Sequence, residues 1–200
     1  MSAMRFLVVS ILPLVILTAA AEPPAGKSSE QEPPPLAATS PSQKLDTLFA
    51  QLKRLRDPSA AEGVVAQIWG VWNTSGSATV DLMLRSADAA AAKQEYSAAL
   101  DYLDQAIALK PDYAESWNKR ATLHAKTGNF ERSMADIAQV LAREPRHFGA
   151  LSGMAAILED AGQDAAALDI WRRVIDLYPA NRDAQGHVRT LSEKLDGNKT

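Results

Sequence analysis

Asn118, Lys119 and Arg120 stand side by side, and Arg146, His147 and Phe148 form a second polar and aromatic group further along the chain. Amide, ammonium, guanidinium and imidazole groups in that mixture suit recognition of carboxylates and peptide polar groups. They do not make a reaction centre. The three histidines, His124, His147 and His187, lie 23 and 40 residues apart, far from the short spacings of a zinc site. No cysteine is present to act as nucleophile, disulfide partner or lipid-bearing residue. There is no glycine-rich phosphate loop and no nucleophile elbow, and nothing implies a pocket that would raise the pKa of one carboxylate of a pair. The expectation is therefore a non-enzyme without cofactor or metal. A net charge of −3 offers no broad attraction for nucleic acid.

The elements that position these side chains repeat. Pro111, Pro145 and Pro179 are 34 residues apart, and small residues recur at matched places: Ala87, Ala121 and Ala155, then Ala99, Ser133 and Ala167. Larger apolar residues recur as Leu103, Ile137 and Trp171. A period of this length is that of a helical hairpin, whose two helices approach closely at the small residues. Gly128 and Gly162 fall between the helices of their units, where the reversal favours positive φ, and Gln94 takes that place in the first unit.

Spacing, small residues, aromatics and closing prolines together resemble the tetratricopeptide repeat over residues 80–181. The unit beginning at Ala114 is nearest the pattern, with Trp117, Ala121, Gly128, Phe130 and Pro145, although Arg120 stands where a leucine is usual. The resemblance implies an all-α fold, a right-handed superhelix of stacked hairpins whose first helices line a concave groove for peptide segments. Carried onto this chain, the groove includes Asp81, Leu84, Arg85 and Asp88, then Glu115, Asn118, Lys119, Thr122 and Lys126, then Gly149, Ser152 and Gly153. The family's carboxylate clamp is absent, because Leu84 and Asp88 occupy its first pair and Gly149 and Gly153 replace its later basic residues. Segments similar to NKRAT (118–122) and PRHFGALSG (145–153) also resemble a group of small exported bacterial envelope proteins with these repeats.

Five segments flank the repeats. Residues 1–21 carry Arg5, an apolar run from Phe6 to Leu17 and small residues Ala19 to Ala21, the three parts of a secretory signal. Residues 22–43, rich in proline, serine and glutamate, read as a disordered tether. Residues 44–79 read as a degenerate leading repeat, with Asp57 capping a second helix that starts at Pro58. After units 80–113, 114–147 and 148–181, residues 182–195 read as a capping helix through Val188, Leu191 and Leu195, and 196–200 as a frayed tail.

Arg120 occupies a buried position and needs a carboxylate, with Asp101 or Asp104 as expected partners in a structural ion pair. The expected partner-binding residues are Arg85, Asn118, Lys119, Thr122, Arg146, His147 and Phe148, with Arg146 and His147 in an exposed loop. Trp72, at a helix end, is the tryptophan expected to face a partner. Two functions follow. One is an exported, periplasmic adaptor that holds a protein or peptide segment in the groove. The other is a structural module that assembles through its leading hairpin into a homo-oligomer or envelope complex. Membrane association follows only if the signal segment is retained. N-terminal sequencing of the exported protein should find a mature chain that begins at Glu22, and a chain still carrying residues 1–21 would overturn the signal assignment.

Overall fold

The computed structural model describes residues 40–197, so the signal segment, nearly all of the tether and the last three residues lie outside the described part. Nine helices follow one another among the described residues: α1 (Pro41–Leu52), α2 (Pro58–Trp72), α3 (Ala78–Ala92), α4 (Tyr96–Leu109), α5 (Ala114–Lys126), α6 (Phe130–Arg143), α7 (Phe148–Asp160), α8 (Asp164–Leu177) and α9 (Arg182–Gly197). The first begins inside the stretch read as tether. Ser40 and Gln43 form a reciprocal capping box there and Pro41 opens the helix, which gives these polar residues a helical start despite their composition. Asp57 caps α2 by accepting from the Ala60 amide, as its place before Pro58 implies.

Helices α3 to α8 stack as three hairpins. The small residues of both helices, Ala87, Ala99, Ala121, Ser133, Ala155 and Ala167, are all buried. Ser133 remains satisfied in that position because its hydroxyl donates to the Ala121 carbonyl at 2.8 Å. The reversals at Gly128 and Gly162 have φ of +78° and +70°, and Gln94 adopts +63° at the equivalent turn. A side chain in that left-handed region costs roughly 1–2 kcal/mol, so the first hairpin turns against a local preference that its packing overrides.

The leading hairpin departs from expectation. It is helical, but it does not continue the stack onto the first repeat. Leu45, Leu48, Phe49 and Leu52 of α1 and Val64, Ile68 and Trp72 of α2 share one core with α7, α8 and α9. The first repeat has a separate core of Val80, Leu84, Ala87, Ala99, Leu103 and Ala106, joined by Leu123 of α5. The physical reason lies in the aromatic residues. Phe49, Trp69 and Trp72 find rings to pack on at the start of α7, whereas α3 faces its neighbours with alanine, valine and leucine.

Helix α9 closes the other end. Ala184 and Leu191 are buried in the same core, His187 stacks on Trp171 at 4.3 Å, and Lys194 pairs with Asp164 at 2.7 Å. The helix includes Asp196 and Gly197, so these two belong to it rather than to a frayed tail.

Candidate functional site

The concave face divides into an open half and a filled half. The open half is a cleft of about 290 Å³ between α3 and α5, walled by Ala87, Asp88, Asn118, Lys119, Thr122 and Lys126, with Leu103 and Leu123 in its lining. Lys119 Nζ lies 3.0 Å from both Asp88 carboxylate oxygens. Asp88 is 59% exposed, so this pair is open to water and exchangeable. The Asn118 amide donates to both Glu115 oxygens at 3.2 and 3.1 Å, which fixes that side chain on its helix. The Thr122 hydroxyl donates to the Asn118 carbonyl one turn back, and Lys126 lies 5.4 Å from the Tyr96 ring. Of the residues expected to bind a partner, Asn118, Lys119 and Thr122 line this cleft. Arg85 is exposed on α3 but is not part of the lining.

The filled half lies at the third repeat. A Cβ on Gly149 would stand 3.0 Å from the Trp69 ring, so the missing side chain lets the indole sit this close without either giving way. Gly153 has a different use: a Cβ there would make ordinary contact with Ile137 of α6. His147 and Phe148 are not exposed edge residues, as the sequence led us to expect. His147 is fully buried and stacks on Trp72 at 4.1 Å and 13°, while Phe148 packs against Phe49, Trp69, Trp72 and Tyr178. Trp72 is correspondingly buried. It is an internal anchor, and the chain's own repeat is what it faces.

His147 also holds the start of α7. Its Nδ1 accepts from the Ala150 amide at 3.0 Å, which requires that nitrogen to be unprotonated and leaves the proton on Nε2, 3.3 Å from Glu115. Glu115 is thereby shared between Asn118 of the open half and His147 of the filled half. Arg146 is partly buried rather than free. It pairs with Asp46 of α1 at 2.7 Å and with Glu144 at 3.0 Å, and its guanidinium lies 4.6 Å from the Phe49 ring. The Tyr113 hydroxyl donates to the Trp72 carbonyl at 2.7 Å, and burial, with Glu115 and Asp81 nearby, pushes its pKa well up.

Arg120 makes a structural ion pair whose main partner was not apparent from sequence. Its Nε and Nη2 donate to Asp136 of α6 at 2.8 and 2.7 Å, and Nη1 reaches Asp104 at 2.6 Å. Asp101, the other expected partner, is exposed and takes no part. The hydrogen bonds to Asp136 raise the guanidinium pKa most, so the charge is permanent. Asp136 lies sixteen residues from Arg120, on the second helix of the same unit, and only the hairpin register brings the two together. A carboxylate directly opposite an intruding arginine within one hairpin was the signal available for it.

Among the described residues no group of three or more histidine, aspartate or glutamate side chains is placed to hold a metal ion, and no helix is long and apolar enough to cross a membrane.

Residues 114–147 match the family model of the tetratricopeptide repeat. A repeat-containing protein of that kind from Rhizobium etli is 57% identical over 164 residues, which is 82% of this chain and 80% of the relative. The chain belongs to the tetratricopeptide-repeat family. Its fold is also similar to the Sgt2 TPR domain from Aspergillus fumigatus, at TM-score 0.56 and 20% identity over 62% of this chain and 84% of that one. The first TPR of Spaghetti (RPAP3), bound to an HSP90 peptide, gives 0.55 and 19% over 59% and 94%. MamA AMB-1 gives 0.52 and 14% over a longer stretch, 78% of this chain and 82% of that one.

Two measurements test the electrostatics. Asp136→Ala leaves Arg120 with only the exposed Asp104, and the loss of a largely buried pair should cost about 3 kcal/mol in denaturant unfolding. A change under about 1 kcal/mol would show that the pair does not hold the hairpin together. Burial holds the His124 imidazole below its ordinary 6.5, with Asp136 partly opposing. The unfolded chain therefore takes up this proton first, and stability present above about pH 6.5 is lost as the pH falls through the lower folded value. The melting temperature should drop between about pH 7 and pH 5, and His124→Gln should reduce that drop.

Proposed function

We propose that this chain is a non-catalytic adaptor that holds a short protein or peptide segment in the cleft of its first two repeats. The carrying observation is the half-open groove: the α3 and α5 side presents an amide, exchangeable charges and an apolar floor to solvent, while the α7 side is already filled by α1 and α2. A segment entering the cleft meets Lys119 and Lys126 as donors, Asp88 as acceptor and Leu103 and Leu123 as apolar contact. The solved structure of the first TPR of Spaghetti (RPAP3) with its HSP90 peptide supports a peptide-binding reading of this fold. Periplasmic residence and work in the cell envelope are part of the proposal, supported by the signal-like residues 1–21.

A segment shorter than a full groove ligand is expected, because the filled third repeat stops it near Glu115. Affinity capture from crosslinked envelope extract, using the mature chain beside an Asn118→Ala, Lys119→Ala variant, tests this. The partner should be lost with the variant while circular dichroism shows both chains equally helical, since the Lys119 pair is solvent-exposed and the Asn118 side chain bonds only to Glu115 one turn away on its own helix. Equal capture by both chains would remove the cleft as the binding site.

A further inference from the structure

The leading hairpin sits where the third repeat would otherwise receive a ligand. Its contacts there are those of a bound segment. Trp69 fills the notch above Gly149, Trp72 lies flat on His147, Phe49 meets Phe148, and Asp46 reaches Arg146 from the rim. Aromatic anchors in a central pocket, with an ion pair at the edge, is the anatomy of an interface between separate partners.

The joint is not completely filled. A cavity of about 200 Å³ remains between Leu45, Trp72, Tyr113, Glu115 and His147. The Trp72 indole N–H is itself buried without a protein acceptor, a condition that costs roughly 1–3 kcal/mol. The side chain that anchors the hairpin most deeply therefore binds with an unmet hydrogen bond. An incoming helix that filled the cavity without burying an unpaired donor of its own would hold the surface more tightly than α2 does.

We propose that α1 and α2 form a displaceable internal occupant of the third-repeat groove, and that the surface beneath them takes a partner's amphipathic helix in their place. The chemistry of the occupant defines the partner: two aromatic side chains one helical turn apart, as Trp69 and Trp72 are, and a nearby carboxylate for Arg146. The proposal rests on the groove being a binding surface and adds its regulation. Opening the hairpin would join the third repeat to the cleft already exposed on the first two, lengthening the site. Glu115, which touches both halves, is the side chain through which occupancy of one is felt by the other.

The probe is a fluorescent peptide of residues 41–73, offered to the mature full-length chain. Wild type should bind it weakly, because its own hairpin competes at the high effective concentration of a tethered ligand. Two host variants weaken that competitor: Trp69→Ala, which empties the notch, and Asp46→Arg, which sets two guanidinium groups against each other at an exposed rim and leaves the core intact. Both should bind the peptide at least tenfold more tightly than wild type. A Trp69→Ala, Trp72→Ala peptide should not bind. A Gly149→Leu host should not bind either, because its side chain occupies the space the indole needs, although its own hairpin is equally displaced. Circular dichroism of each host confirms that the repeats remain helical, and the Asp46→Arg host keeps the test valid if Trp69→Ala unfolds. Equal affinity in wild type and Asp46→Arg, or no binding to any helical host, overturns the proposal. Either result leaves capture through Asn118 and Lys119 standing, so this failure is separable from failure of the cleft.

Discussion

The contact between two indole rings of α2 and the start of α7 governs how the molecule is arranged. Each ring depends on a missing or special group opposite it. Trp69 lies closely against the bare Cα of Gly149, and Trp72 stacks on the ring of His147, whose Nδ1 is occupied in capping α7. Burying such rings is among the largest gains open to a small helical hairpin, and edge or stacked geometry adds about 0.5–1.5 kcal/mol per pair beyond the area itself. That gain is available at the third repeat and absent at the first. The hairpin therefore crosses the concave face instead of lengthening the stack.

From this contact the division of the groove follows. A tetratricopeptide array ordinarily offers its first helices as one continuous surface, but here the third repeat is covered and the first two are not. The open part keeps charges that water can reach, which makes the pair of Lys119 and Asp88 readily exchanged for a ligand's own groups. The covered part keeps charges that already have partners. Arg146 serves Asp46 and Glu144, so it contributes to holding the hairpin and not to a free anion-binding edge.

The stack itself is held by apolar packing with one ionic exception. Arg120 enters a position where leucine is usual, and Asp136 receives it with two parallel hydrogen bonds while Asp104 reaches it from the preceding repeat. Such an arrangement fixes register between α4, α5 and α6 more than it adds net stability, because desolvation offsets much of the attraction. The guanidinium also lies 5.0 Å from the Trp117 ring, and Arg143 approaches the same ring at 4.9 Å from the second helix of that unit. Those cations gather around one indole within the second repeat, and the junction with the first repeat is tied by the Trp117 N–H and Arg143 Nε, which both donate to the Pro111 carbonyl, and by Arg120 on Asp104.

The repeat architecture was legible in the amino-acid sequence because it is a local and periodic property. Ala87, Ala121 and Ala155 recur at one interval, and every helix of the three repeats packs on a neighbour close in the chain. The same holds for the cap at Asp57, the turn residues Gly128 and Gly162, and Asn118, Lys119 and Thr122 as cleft-lining positions. What the sequence could not decide was pairing across long separations. Phe49, Trp69 and Trp72 show the apolar period of a helix wherever they dock, and two surfaces of this chain were available to them. Only the tertiary structure, by setting a glycine notch, a histidine ring and Phe148 side by side at the head of α7, selected the third repeat. Exposure of Arg146 and His147 was misjudged for the same reason, since a loop after a proline is solvent-facing unless another part of the chain lies over it.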